Sequence, residues 1–173
     1  MTRESELVTV VQGEFAVSRN PATVFSTILG SCVSVCLFDQ SREVGGMNHF
    51  LLAMGQGNSG SDLKYGVNAM ELLINRLIKD GASRFNLEAK VFGGARMTAH
   101  ARDIGASNAA FALEFLEREG IPIRAKCVGG DRARRVQFVP TTGAARQLRF
   151  DGKITEIAPR PQERVPKSDV TLF

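Results

Sequence analysis

Two side chains in this sequence have the chemistry to share the work of nucleophilic acyl transfer. Cys32 follows a Gly30-Ser31 step at the mouth of an apolar run, Val33-Ser34-Val35-Cys36-Leu37-Phe38. His49, one of only 2 histidines, comes 17 residues later behind Gly45-Gly46-Met47-Asn48. A thiol attacks carbonyl carbon as its thiolate. With an ordinary pKa of about 8.5 it needs an imidazole, a cation or a helix N-terminus to ionise at neutral pH. A Gly-Ser step permits a sharp turn that can aim backbone N–H groups at a developing oxyanion. Cysteine is also among the most buried residue types, so the same thiol fits a core position.

The remaining candidates are weaker. Cys36 sits inside the apolar run and reads as core. Cys32, Cys36, His49 and Cys127 carry atoms that bind zinc. However, the Cys-x-x-x-Cys lies on a strand-like segment with no second pair at zinc-finger spacing, so no metal is expected. His100, between Ala99 and Ala101, reads as a surface or loop residue. Gly93-Gly94 and Gly129-Gly130 fit neither the dinucleotide nor the Walker pattern and read as turns or close backbone approaches.

Positioning Cys32 and His49 falls to a strand-rich first third. Short β-branched or apolar segments predict strands over 7–11, 15–18, 24–29, 32–38 and 44–53, punctuated by Gly13-Glu14, Asn20-Pro21 and Gly30-Ser31. The Gly- and Ser-rich stretch 55–62 predicts a loop. A helix follows, on which Val67, Met70, Ile74, Leu77 and Ile78 recur at helical spacing before Gly81. A strand over 89–92 leads to a second helix, running from Ser107 or Asn108 as N-cap to Glu119, with Phe111 and Phe115 on one face. Strands over 123–128 and 136–139 flank Gly129-Gly130. This order is not a strict βαβ alternation, so the class is α+β. Pro159, Pro161 and Pro166 among charges predict a tail or surface arm over 159–173, after a single domain over 1–158.

Bulk properties narrow the class further. A chain of 173 residues with 43% hydrophobic and 23% charged residues has ordinary globular composition. A net charge of +4 tilts toward acidic partner surfaces. The one basic cluster, Arg132, Arg134 and Arg135, lacks interleaved aromatics, so no nucleic-acid partner is expected. The N-terminus is polar, no apolar stretch is long enough to span a bilayer, and the number of cysteines is odd. These features predict a cytoplasmic protein with reduced thiols and no membrane insertion.

Read in order, several blocks resemble the chemoreceptor glutamine deamidases of bacterial chemotaxis, the CheD family. They are Gly13-Glu14, Thr27-Ile28-Leu29-Gly30-Ser31-Cys32-Val33, Gly45-Gly46-Met47-Asn48-His49, Tyr65-Gly66 and Lys90-Val91-Phe92-Gly93-Gly94-Ala95. Ile104-Gly105 with Asn108, Gly129-Gly130 and Thr141-Thr142-Gly143 continue the series, so the resemblance spans about residues 10–150. It implies a cysteine amidohydrolase that needs no metal or organic cofactor. The implied substrates are glutamines on the methylation helices of chemoreceptors, with the chemotaxis phosphatase CheC as a further partner. It also implies a layered α/β/β sandwich similar to the catalytic domain of the cytotoxic necrotizing factor toxins.

On the same resemblance, Cys32 is the nucleophile and His49 the base. The family places a threonine six residues before the cysteine, where this chain has Ser26 with Thr27 beside it. Along one extended strand Ser26 and Cys32 share a face. Ser26 is therefore expected to orient His49, with Thr27 in its place if a bulge shifts the register. Ala133 stands where the family often has glycine. A glutamyl methyl ester would pass through the same acyl-enzyme, so methylesterase activity is an expected side function. Two other classes fit the resemblance: a non-catalytic adaptor for receptors or CheC, and a cysteine hydrolase with another substrate.

Overall fold

The computed structural model describes residues 4–52, 60–98, 104–151 and 170–173. Its strands follow from burial that alternates along the chain. On β3 (Thr23–Leu29), Phe25, Thr27 and Leu29 are buried while Ile28 is exposed. Every residue of β4 (Val33–Asp39) is buried, because both faces of that strand are covered. The other strands are β1 (Glu6–Thr9), β2 (Phe15–Ser18), β5 (Val44–Asn48), β6 (Glu88–Gly93), β7 (Ile123–Val128), β8 (Ala133–Phe138), β9 (Ala145–Phe150) and β10 (Val170–Leu172). The helices are α1 (Gly60–Lys79) and α2 (Ile104–Arg118).

These elements make a mixed α+β fold of two five-stranded sheets and two helices. The first sheet runs β1-β3-β8-β9-β10 and the second β2-β5-β4-β6-β7. Within them β1–β3 and β6–β7 pair in parallel and the other neighbours antiparallel. Strand β4 sorts its side chains by parity. Val35 and Leu37 join Met70, Leu73 and Leu77 of α1 and Ala112 and Leu116 of α2 in one core. Cys36 and Phe38 join Phe25, Leu29, Val136 and Phe138 of the first sheet in another. Full burial of side chains such as Leu37 and Phe38 stabilises by about 1.5–3 kcal/mol each. Glycine at Gly46 lets α1 and β2 close on β5: a Cβ there would lie 2.6 Å from the Ala16 carbonyl oxygen and 2.8 Å from Leu73 Cδ1.

Several boundaries differ from the sequence reading. The strand expected over 44–53 stops at Asn48, and Phe50 keeps only a bridge to Val33. Helix α1 starts at Gly60, so the end of the expected 55–62 loop is helical; residues 55–59 lie outside the described residues, as does His100. Helix α2 starts at Ile104, so neither Ser107 nor Asn108 is its N-cap, and Asn108 is buried within the helix. Strand β9 escaped the pattern because its buried positions include Ala145 and Gln147, with Arg146 and Arg149 exposed, which carries little apolar signal. In the expected tail, Val170–Leu172 pairs with β9. The Phe173 ring meets Phe92 edge-on at 5.3 Å between centroids. Residues 159–169 lie outside the described residues.

Asp39 closes β4 and staples it to the turns beyond. Its carboxylate is fully buried and accepts from the Ser41 hydroxyl at 2.7 Å, the Arg42 N–H at 3.1 Å and the Ser83 N–H at 2.8 Å. Burial pushes the carboxyl up, but the donors from Ser83, Ser41 and Arg42, together with the Arg42 charge, outweigh it and hold the pKa below the usual value. A depressed carboxylate stabilises the fold fully above the unfolded value near 4, and that contribution fades as pH falls toward the folded value. Asp39→Asn exchanges one acceptor oxygen for a donor. It is expected to cost about 1–3 kcal/mol at neutral pH. In denaturant titrations the stability gap between wild type and variant should close below about pH 4.

Candidate active site

Between β3 and β4 the chain leaves the first sheet and enters the second within three residues, Gly30, Ser31 and Cys32. All three of their carbonyls are held by hydrogen bonds from the segment 94–108. The Ala95 N–H donates to Gly30 O at 2.9 Å, Asn108 Nδ2 to Ser31 O at 2.9 Å and the Gly94 N–H to Cys32 O at 2.8 Å. The grip depends on glycine. Gly93 has φ of +111° and lies so close to the Cys32 carbonyl that a Cβ would collide with it. Gly94 has φ of +66°, and a Cβ there would lie 2.7 Å from the Gly105 carbonyl oxygen. Gly93-Gly94 is thus a close-approach seam between the Cys32 bend and the start of α2.

His49 comes just after β5. Its N–H donates to Glu14 O at 3.0 Å, and its carbonyl accepts from the Gly13 N–H at 2.8 Å. The residue is 7% exposed, and its ring reaches across to the first sheet. Nδ1 lies 2.8 Å from Thr27 Oγ1 and 3.3 Å from Val10 O. Thr27 Oγ1 donates to Val10 O at 2.7 Å. The carbonyl can only accept, so the single hydroxyl proton of Thr27 is committed to it. His49 Nδ1 must then be the donor to Thr27 Oγ1. That places the neutral ring's proton on Nδ1 and makes Nε2 the basic nitrogen.

Register brings the thiol to the same face. β4 and β5 pair Cys36 with Met47, and the Val33–Phe50 bridge continues that register. Ser34 therefore stands opposite His49, and Cys32 is its diagonal neighbour on the side facing the first sheet. Diagonal neighbours across an antiparallel pair are about 7–8 Å apart, within reach of side chains that lean toward each other. Cys32 Sγ also lies 3.7 Å from Gln12 Oε1.

The expected orienter needs correcting. Thr27, not Ser26, meets His49. Thr27 shares the inward face of β3 with Phe25 and Leu29, and Ser26 alternates to the other face. Parity counted from Cys32 back to Ser26 does not carry over, because the chain changes sheets at residues 30–32 and is not one extended strand.

The other thiols are placed differently. Burial pushes the Cys36 thiol up to about 12, opposed in part by a hydrogen bond with Ser34 and the charge of Lys90, so it stays protonated at neutral pH. Cys127 lies on β7, separated from β4 by β6. None of the three cysteines is in a disulfide. Among the described residues no group of three or more His, Cys, Asp or Glu side chains is placed to hold a metal ion. Also among these residues, no helix is long and apolar enough to cross a membrane.

Sequence reasoning missed the Val10 carbonyl and the amide of Asn108. Nothing about a valine predicts the role of its backbone. Asn108 did carry a signal: it lies at helical spacing from Ala112 and Phe115, a polar residue on the apolar stripe of α2. Together a thiol, an imidazole of fixed tautomer and a bend with aligned peptides can perform nucleophilic acyl transfer.

The chain is similar to known proteins along its length. A family model described as "CheD chemotactic sensory transduction" matches residues 52–149. A protein of Ruegeria sp. (strain TM1040), "Probable chemoreceptor glutamine deamidase CheD 1", is 54% identical over 145 residues, covering 84% of this chain and 78% of the relative. A protein of Agrobacterium fabrum (strain C58 / ATCC 33970), "Probable chemoreceptor glutamine deamidase CheD", is 45% identical and covers 100% of this chain and 99% of its own. Among solved structures, the Neisseria meningitidis protein NMB0706 matches at a TM-score of 0.46 and 11% identity, over 73% of this chain and 63% of its own.

Proposed function

The chain belongs to the CheD family, and from that premise we propose that it is a chemoreceptor glutamine deamidase in which Cys32 and His49 carry the chemistry. The observation that supports this reading most is the 2.8 Å contact between Thr27 Oγ1 and His49 Nδ1, which directs Nε2 to act as base on the face shared with Cys32. His49 Nε2 takes the thiol proton, and Cys32 Sγ bonds to the carboxamide carbon of a receptor glutamine. Backbone N–H groups at the bend, that of Cys32 among them, receive the oxyanion. As the intermediate collapses the C–N bond breaks, and His49 returns its proton to the departing ammonia. Water, losing a proton to His49, then attacks the thioester carbon. The S–C bond breaks, the Cys32 thiolate takes back the proton held by His49, and glutamate remains. A glutamyl methyl ester would form the same thioester and release methanol.

The substrate side chain projects from a long receptor helix, so the chain acts in the cytoplasm on the methylation helices of chemoreceptors, with CheC as a further partner. We take residues 1–158 as the single catalytic unit and 159–173 as an arm whose end, residues 170–173, returns to the first sheet through β10. The separate cores on the two sides of the second sheet support the α/β/β layering expected from the toxin resemblance.

The test is mass spectrometry of a receptor cytoplasmic fragment incubated with the protein. Peptides carrying methylation-site glutamines should gain the mass difference between an amide and an acid, with release of ammonia. A fragment that stays unconverted while the protein binds it would overturn the enzyme in favour of an adaptor.

A further inference from the structure

The bend carrying Cys32 is held by one side chain whose amide links two connecting segments, one before β4 and one after β5. Asn108 is 0% exposed. Its Oδ1 accepts the Leu52 N–H at 2.8 Å, and its Nδ2 donates to Ser31 O at 2.9 Å. The amide orientation is fixed by chemistry, since an N–H can only donate and a carbonyl can only accept. Asn108 thus ties the segment that follows His49 to the residue that precedes Cys32, from the buried face of α2.

The Ser31 bond has a directional consequence. A peptide is planar and trans, so its C=O and N–H point in opposite directions. The Ser31 carbonyl and the Cys32 N–H belong to one peptide. Pulling the carbonyl toward Asn108 turns the Cys32 N–H away from α2. Gly30 O and Cys32 O are held by the N–H groups of Ala95 and Gly94. Those two grips come from backbone amides and persist whatever side chain stands at position 108. Ser31 O is the one of the three carbonyls held by a side chain, so the orientation of its peptide depends on Asn108.

Resting on the deamidase reading above, we propose that Asn108 is a positioning residue for the oxyanion site: it locks the Ser31–Cys32 peptide so that the Cys32 N–H faces the developing oxyanion. Asn108 touches neither the substrate nor the thiol. It acts through the peptide it holds. A preorganised donor contributes mainly in the transition state, so its loss lowers kcat more than it raises KM.

Asn108→Asp separates the two ties. Once ionised, its carboxylate still accepts from Leu52 but has no proton to donate to the Ser31 carbonyl; because burial raises a carboxyl pKa, the variant is compared with wild type at the alkaline end of the range in which both stay folded. Two reactions at Cys32 then report differently. Acylation by p-nitrophenyl acetate forms the S–C bond, expels p-nitrophenolate and passes through an oxyanion. Alkylation by iodoacetamide expels iodide in one displacement and forms none. We expect Asn108→Asp to slow Cys32 acylation and receptor-glutamine kcat by about 10- to 100-fold, with KM and alkylation within about twofold of wild type.

Asn108→Ala, which removes both ties, serves as the second variant, and circular dichroism and thermal melting establish that each is folded. Equal slowing of acylation and alkylation, or no slowing in a folded variant, overturns the proposal. So does failure of both variants to fold, because the amide would then hold the fold and not the peptide. The deamidase reading fails separately: a wild type that acylates at Cys32 but converts no receptor glutamine removes the substrate and leaves the acylation-to-alkylation ratio to decide on Asn108. A wild-type Cys32 that reacts with neither reagent overturns both.

Discussion

Cys32→Ala is expected to abolish receptor-glutamine conversion, lowering kcat by about 10,000-fold or more while the protein stays folded. The size follows from covalent chemistry: without the sulfur there is no acyl-enzyme, and only binding and the backbone donors remain. The fold should tolerate the change, because Cys32 is partly exposed and lies in the connection between two sheets. Cys36→Ala is the matched control. That thiol is fully buried and held protonated, so its removal should leave the chemistry intact, and in the native protein iodoacetamide should label Cys32 and spare Cys36. Peptide mass spectrometry reads both outcomes. Conversion by Cys32→Ala at a rate near that of wild type would move the nucleophile elsewhere.

The second large effect concerns which hydroxyl holds the histidine. Thr27→Val has nearly the same shape but removes the oxygen that receives the His49 Nδ1–H. Of the two Nδ1 contacts, the longer one to Val10 O, at 3.3 Å, would remain. We expect kcat to fall by about 100-fold, less than for the carboxylate of a Ser-His-Asp triad because the lost group is neutral. Thr27→Ser keeps the oxygen and should retain most of the rate. Ser26→Ala, on the opposite face of β3, should change kcat by less than about twofold. A fall for Ser26→Ala comparable to that for Thr27→Val would refute the orientation drawn from the structure. The comparison is sharp because the two residues are adjacent in sequence, and only the side on which each projects distinguishes them.

Much of the fold was legible in the chain because burial leaves periodic marks. Val67, Met70, Ile74, Leu77 and Ile78 at helical spacing marked α1, although Ile78 is exposed on it, and the mostly apolar run of β4 marked a strand. Gly93-Gly94 was recognisable as a turn or a place of close approach, since a missing side chain is visible in a sequence. Strand β9 was not legible: Gln147 is buried there while its neighbour Arg146 is exposed, a difference hydropathy does not record. Nor was the start of α2, because Asn108 fits both a cap and a buried clamp, and the choice between them depends on contacts with Ser31 and Leu52 far away in sequence.

For the site, the sequence by itself determined the parts: one thiol behind a Gly-Ser bend, one histidine behind a Gly-Gly entry, and hydroxyls at two adjacent positions upstream. Side-chain type and local spacing are enough for that, because nucleophile and base are properties of individual residues. Only the tertiary structure decided how the parts are aimed. Thr27, not Ser26, meets His49 because the chain crosses from one sheet to the other at residues 30–32, which breaks the parity a continuous strand would impose. The histidine tautomer depends on a carbonyl from Val10, and the set of the Cys32 peptide on an amide from α2. Direction in space arises from which segments are packed together, and no single segment carries it.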